Sequence, residues 1–78
     1  MARAFVLIHT RVGRREEVSS ALKKLERVKV ANSVTGPYDI IAVVEGSLAD
    51  IGEVVIGMGA AAGVARVLTC LVMEDISS

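Results

Sequence analysis

The stretch "KVANSVTGPYDIIAVVE", residues 29–45, decides the fold. It opens with a mildly polar, β-prone run, "KVANSVT" (29–35), and closes with an almost wholly apolar one, "DIIAVVE" (39–45). Between them lies "GPYD", which holds the chain's only proline and only tyrosine. Glycine supplies an unusual φ, proline fixes the next one, and aspartate accepts hydrogen bonds from nearby backbone, so these residues read as a turn. So little chain separates the two runs that they pair as an antiparallel hairpin. The polar run suits a sheet edge, and the apolar run suits its centre.

Upstream, "RAFVLIHT" (3–10) is a branched apolar strand that ends before Gly13. From Arg14 to Val28, the apolar residues Val18, Ala21, Leu22, Leu25 and Val28 form one stripe of an amphipathic helix. Glu16 and Glu17 in the first turn and Arg27 near the last suit the helix dipole. Downstream, "GSLADIGEVVIGMGAAAG" (46–63) opens with Ser47 and Asp50 at capping-box spacing. A helical stripe of Ile51, Val54, Val55 and Met58 follows. Gly52, Gly57 and Gly59 lie inside this helix, each costing up to about 1 kcal/mol relative to alanine. They imply a helix that frays or packs very closely. "GVARVLTCLVME" (63–74) closes the chain as a fourth strand.

The order β-α-β-β-α-β, with right-handed crossovers, predicts an α+β ferredoxin-like sandwich with spatial strand order 4-1-3-2. One domain spans residues 1–78. Alternate residues of the central strands are apolar on both faces. Ala4, Val6 and Ile8 oppose Phe5, Leu7 and His9, and Ile40, Ala42 and Val44 oppose Ile41, Val43 and Glu45. Two helices cover one face, and an antiparallel sheet with a wet second face would alternate cleanly. A second copy, packed sheet to sheet about a two-fold axis, resolves the conflict.

Composition bounds the function. Nine basic and nine acidic residues give a formal net charge of zero, which is no footprint for direct nucleic-acid binding. No apolar run spans a bilayer and "MARAFVLIHTR" carries no signal-peptide pattern, so no membrane partner is expected. One cysteine excludes an internal disulfide and fits a reducing, cytoplasmic setting. Cys70, in "VLTCLVM", reads as a small buried hydrophobe. His9, the only histidine, reads as exposed or at a dimer edge, with no second ligand spaced for a metal. No cofactor is implied, because residues 57–63 do not follow a phosphate-loop pattern. Asp50, Glu53, Glu74 and Asp75 form no acid/base pair and read as solvated, as do the charges of the first helix.

Three stretches carry a resemblance to a known family: "AFVLIHT" with Gly13 after it, "VTGPYDIIAVVEG", and "GVARVLTCLV". Over residues 2–74 the chain resembles the ligand-sensing (RAM) domain of the Lrp/AsnC transcription regulators. It looks like the stand-alone forms, which keep the sensor and lack the DNA-binding domain. The resemblance implies dimeric αβ barrels, further homo-oligomers, an amino-acid effector, and a full-length regulator of the family as a partner. It also implies effector contacts at Gly36, Tyr38 and Asp39, with Thr69 completing the site from a neighbouring subunit.

The chemistry of a zwitterion fits the same loop. Asp39 can accept from the ammonium group, and the turn amides of Gly36 and Tyr38 can donate to the carboxylate. Two positions depart from the pattern: Val67 replaces a frequent threonine, and Pro37 supplies no N–H. The plainer reading of "GPYD" is a structural turn and nothing more. Other functions remain open on sequence grounds. Cofactor-independent monooxygenases and isomerases share the dimeric αβ barrel, but they need polar or aromatic cavity residues, and this chain has one Phe, one Tyr and one His. An oligomerisation-only domain is a third reading. The ACT family of amino-acid-binding domains shares the topology, with Gly13 as its weak support.

Overall fold

The computed structural model describes residues 1–77. Six elements follow in order: β1 (Ala2–Thr10), α1 (Arg15–Lys23), β2 (Val28–Ser33), β3 (Ile40–Gly46), α2 (Leu48–Ala60) and β4 (Val64–Leu71). The sheet runs β2-β3-β1-β4, with every neighbouring pair antiparallel. This is the ferredoxin-like order expected from the sequence.

The central pair sets the core. Its register joins Ala4 to Val44, Val6 to Ala42 and Ile8 to Ile40. All six side chains face the helices, and none is more than 2% exposed. Val18 and Leu22 of α1 and Ile51 and Met58 of α2 close over them.

The first helix is shorter than its apolar stripe. It ends at Lys23, and residues 24–27 form a turn. Three-residue hydrogen bonds tighten this exit: Lys24 N–H to Ala21, Leu25 N–H to Leu22 and Val28 N–H to Leu25. Val28, the last residue of the stripe, is drawn into the sheet opposite Val44. Pairing in the sheet therefore overrides helical periodicity at that point.

Helix α2 begins as its sequence signals. Ser47 Oγ accepts the Asp50 N–H at 3.1 Å, and Asp50 Oδ2 accepts the Ser47 N–H at 3.0 Å. Asp50 also meets Arg27 at 3.3 Å, which ties the cap to the turn before β2. Asp50 is therefore structural as well as solvated. The helix runs unbroken past Gly57 and Gly59 to Ala60. A Cβ at Gly52, Gly57 or Gly59 would meet nothing within 4 Å, so close packing within the chain does not explain these glycines. Gly63 is different. Its φ is +88°, and a Cβ there would lie 3.0 Å from both Arg14 Cβ and Val18 Cγ2. The loop entering β4 passes that close to α1.

The second sheet face is open. Phe5 lies opposite Val43 and Cys70, and Leu7 opposite Ile41 and Leu68. Phe5, Leu68 and Val30 keep 41%, 48% and 49% of their surface exposed. Cys70 corrects an expectation: it is exposed in the protomer, because β4 is an edge strand and Cys70 points to the uncovered face.

Two glycine substitutions separate these roles. Gly57→Ala should raise unfolding free energy by up to about 1 kcal/mol, since alanine is the better helix former and meets no obstacle. Gly63→Ala should lower it by more than about 1 kcal/mol, through positive φ and the contact with α1. Urea denaturation of both variants checks the contrast, and equal effects would refute it.

Candidate functional site

Residues 34–39 link β2 to β3. The Val34 N–H reaches the Asp39 carbonyl at 2.9 Å, which closes the loop on itself. The Asp39 N–H donates to the Ile8 carbonyl, also at 2.9 Å, which docks the loop against the end of β1. Gly36 has φ +131°, where a side chain is disfavoured, and it is exposed. Tyr38 is half-buried, and the Arg66 guanidinium lies 5.9 Å from its ring centroid, within cation–π range. Arg66 is itself the register partner of His9.

Asp39 gathers the charged groups. Its Oδ2 accepts the Thr10 backbone N–H at 2.8 Å and the Thr10 hydroxyl at 3.1 Å. His9 Nδ1 is 3.5 Å from the same oxygen. Its Oδ1 faces the Arg15 guanidinium at 3.4 Å. The Thr10 backbone N–H is the foremost cause holding the Asp39 carboxyl below its ordinary value of 3.8. Partial burial opposes this, while the Thr10 hydroxyl, Arg15 and His9 reinforce it. Thr10 is the buried polar residue of the core edge, and Asp39 satisfies it. A register shift between β1 and β4 falls at His9 and Thr10, so the strand is re-aimed where it meets Asp39.

A cleft of about 560 Å³ opens beside this cluster, lined by residues that include His9, Thr10, Arg11, Gly13, Arg15 and Asp39. It offers two carboxylates (Asp39 and Glu16), two exposed guanidinium groups and an imidazole within one concavity. A second hollow, about 320 Å³, lies between α1 and α2. Leu22, Leu25, Val54 and Met58 help to line it, with Glu53 as its charged residue, so it suits apolar matter and not a zwitterion. Among the described residues, no three His, Cys, Asp or Glu side chains gather to hold a metal ion. No helix among them is long and apolar enough to cross a membrane.

Of the four residues singled out in the sequence, Gly36, Tyr38 and Asp39 share the loop, and Asp39 alone lines the cleft. Thr69 lies apart. It is opposite Val6 on the helix-facing side of β4, exposed at the sheet edge, so one protomer does not bring it to the loop. Sequence reasoning missed His9, Thr10, Arg15 and Arg66 as members of the cluster. One signal was available for the first two. An antiparallel β1–β3 pair with Ile8 opposite Ile40 carries residues 9 and 10 past the start of β3, toward Asp39.

Comparison with known proteins supports a common family. Residues 3–78 match the model of the Lrp/AsnC ligand binding domain. The TTHA0845 protein of Thermus thermophilus is similar in structure, with a TM-score of 0.92, 35% identity and full coverage of both chains. Escherichia coli AsnC superposes at a TM-score of 0.89 with 20% identity, over 99% of this chain and 54% of that one. The Neisseria meningitidis transcriptional regulator NMB0573, solved with L-Met, has a TM-score of 0.83 and 20% identity, over 99% of this chain and 53% of that one. The chain thus spans about half the length of these two regulators. No curated protein sequence matches the chain.

Asp39 makes stability depend on acidity in a definite direction. Its carboxyl is depressed in the folded state, so its contribution is complete above the unfolded value near 3.8 and is lost as pH falls through the lower folded value. Asp50, lowered foremost by the Ser47 backbone N–H, behaves alike. Asp39→Asn should therefore melt below the wild type at pH 7, and the gap should narrow below about pH 4. Thermal melts across pH 2–7 measure it, and a gap that stays constant over that range would contradict the assignment.

Proposed function

The chain belongs to the Lrp/AsnC ligand-binding domain family, a family of regulatory ligand-binding domains, and from that premise we propose that it is a self-assembling sensor of free amino acids. The observation that carries this reading is Asp39: an ionised carboxylate at the rim of a polar cleft, with one oxygen held by Thr10 and the other facing outward to Arg15. A free ammonium group seeks such an acceptor. Gly36 and Tyr38 shape the loop that presents it, and Thr69 would enter the site from a neighbouring subunit. The L-Met complex of NMB0573, a regulator of the same fold, is in keeping with this ligand class.

The sensor acts in transcriptional regulation through binding and assembly, with a full-length regulator of the family as its partner. It is read as a binder and not a catalyst, acting in the cytoplasm. Assembly follows from the uncovered sheet face. Phe5, Leu7, Ile41, Val43 and Leu68 make a continuous apolar surface there, and a second copy of the same face would cover it. Cys70 and Val30 would be buried in the same contact.

Two outcomes are expected. In a thermal-shift screen of the twenty amino acids, at least one should raise the melting temperature by several degrees, because a ligand at a hundred times its Kd adds about 2.7 kcal/mol to a folded domain. Asp39→Asn should bind that amino acid roughly ten- to a hundredfold more weakly by calorimetry. A flat screen would refute the amino-acid reading. Separately, Val43→Asp places a carboxylate in the sheet-to-sheet contact and should dissociate or unfold the assembly. Light scattering that shows an unchanged oligomer, or a monomeric wild type, would refute the packing.

A further inference from the structure

Resting on the amino-acid reading above, we infer that Arg15 is the carboxylate receptor of the site, and that an amino acid binds by inserting its zwitterion between Arg15 and Asp39. The donors first suggested for the carboxylate were the amides of Gly36 and Tyr38, yet neither residue lines the cleft that Asp39 faces. The Asp39 N–H is also taken, by the Ile8 carbonyl. Arg15 does line the cleft, directly across from Asp39 Oδ1.

The Arg15–Asp39 pair is built to open. Its 3.4 Å separation is long beside the roughly 2.7–2.9 Å of a strong charge-assisted bond. The Arg15 side chain is 53% exposed, so water can reach the guanidinium as it moves. The two carboxylate oxygens are unequal. Oδ2 is committed to Thr10 at 2.8 and 3.1 Å, with His9 at 3.5 Å. Oδ1 holds the loose Arg15 contact. Asp39 can therefore exchange its Oδ1 partner without releasing the loop from β1.

An α-amino acid fits that exchange in charge and in shape. Its ammonium group brings three donors and takes Oδ1. Its carboxylate, on the adjoining carbon, meets the planar fork of the displaced guanidinium. The sequence guanidinium, carboxylate, ammonium, carboxylate alternates in sign, so each of these four groups faces an opposite charge. An amine without a carboxylate would leave two cations competing for Asp39. A carboxylate without an ammonium group would sit against Asp39 itself. Arg11 adds positive charge to the cleft wall, and Glu16 on the same wall partly offsets it. The site thus selects the zwitterion and not either half.

Calorimetric titration with three probes tests this: the amino acid giving the largest shift among the twenty, its α-carboxamide and its N-acetyl derivative. Wild type should bind the carboxamide about tenfold or more weakly than the parent, the cost of one charge-assisted contact. Arg15→Gln should lose a similar factor for the parent and then treat parent and carboxamide alike. The N-acetyl derivative should bind neither protein well. Arg15→Lys keeps the charge without the fork and should fall between; it carries the same comparison if Arg15→Gln is unstable. Parent binding undiminished in Arg15→Gln, or carboxamide discrimination unchanged by the substitution, would overturn the role of Arg15 and leave the sensing function standing. Failure of every amino acid to stabilise the wild type would overturn both.

Discussion

The antiparallel contact between β1 and β3 constrains everything else in this molecule. Its inward face is closed by Val18, Leu22, Ile51 and Met58, with the side chains beneath them at most 2% exposed. Its outward face carries Phe5, Leu7, Ile41 and Val43, with no described element packed above them. A strand pair that is apolar on both sides must be covered twice. The two helices supply one cover, and the described residues hold no further layer for the other. The pressure to associate is therefore built into the two most buried strands, and mild changes at the surface would not relieve it.

The same contact positions the site. Because Ile8 lies opposite Ile40, β1 overshoots the start of β3 by two residues, His9 and Thr10. Those residues face the loop that enters β3; the Asp39 side chain holds Thr10 and meets His9, while its backbone N–H docks on the Ile8 carbonyl just before them. The buried Thr10 hydroxyl needs a partner at the core edge, and the Asp39 carboxylate, held lower in pKa foremost by the Thr10 N–H, supplies it. Each satisfies the other. The polar cleft is thus a by-product of closing the core, and its charge is fixed before any ligand arrives.

Most of the architecture was legible in the sequence, since strand and helix periods, the Ser47–Asp50 box and the short hairpin all agree on one topology. The misreadings have physical causes. The apolar stripe running to Val28 describes helix propensity, whereas β3 offers Val28 a ladder of hydrogen bonds and wins it. Cys70 has a buried neighbourhood in sequence, but its strand lies at the edge of the sheet. Asp39 stood out because it adjoins the chain's one Pro and one Tyr. Arg15 did not, because its contact with Asp39 spans 24 positions in sequence and nothing in its helix distinguishes it from the solvated charges around it.

In the proposed sensor the two contacts of Asp39 are linked through one carboxylate. Oδ2 holds the loop and Oδ1 faces the cleft, yet both belong to one rigid carboxylate. A ligand that grips Oδ1 more firmly than Arg15 does also restrains the plane of the group, and with it the hydrogen bonds to Thr10. Binding would then stiffen the junction of β1, β3 and the 34–39 loop. His9 lies at that junction on the uncovered face, paired in register with Arg66, whose guanidinium rests over Tyr38. The cleft and the margin of the association surface therefore share a set of contacts one residue deep. A ligand in the cleft and a second copy on that face would thus bear on neighbouring packed and hydrogen-bonded groups.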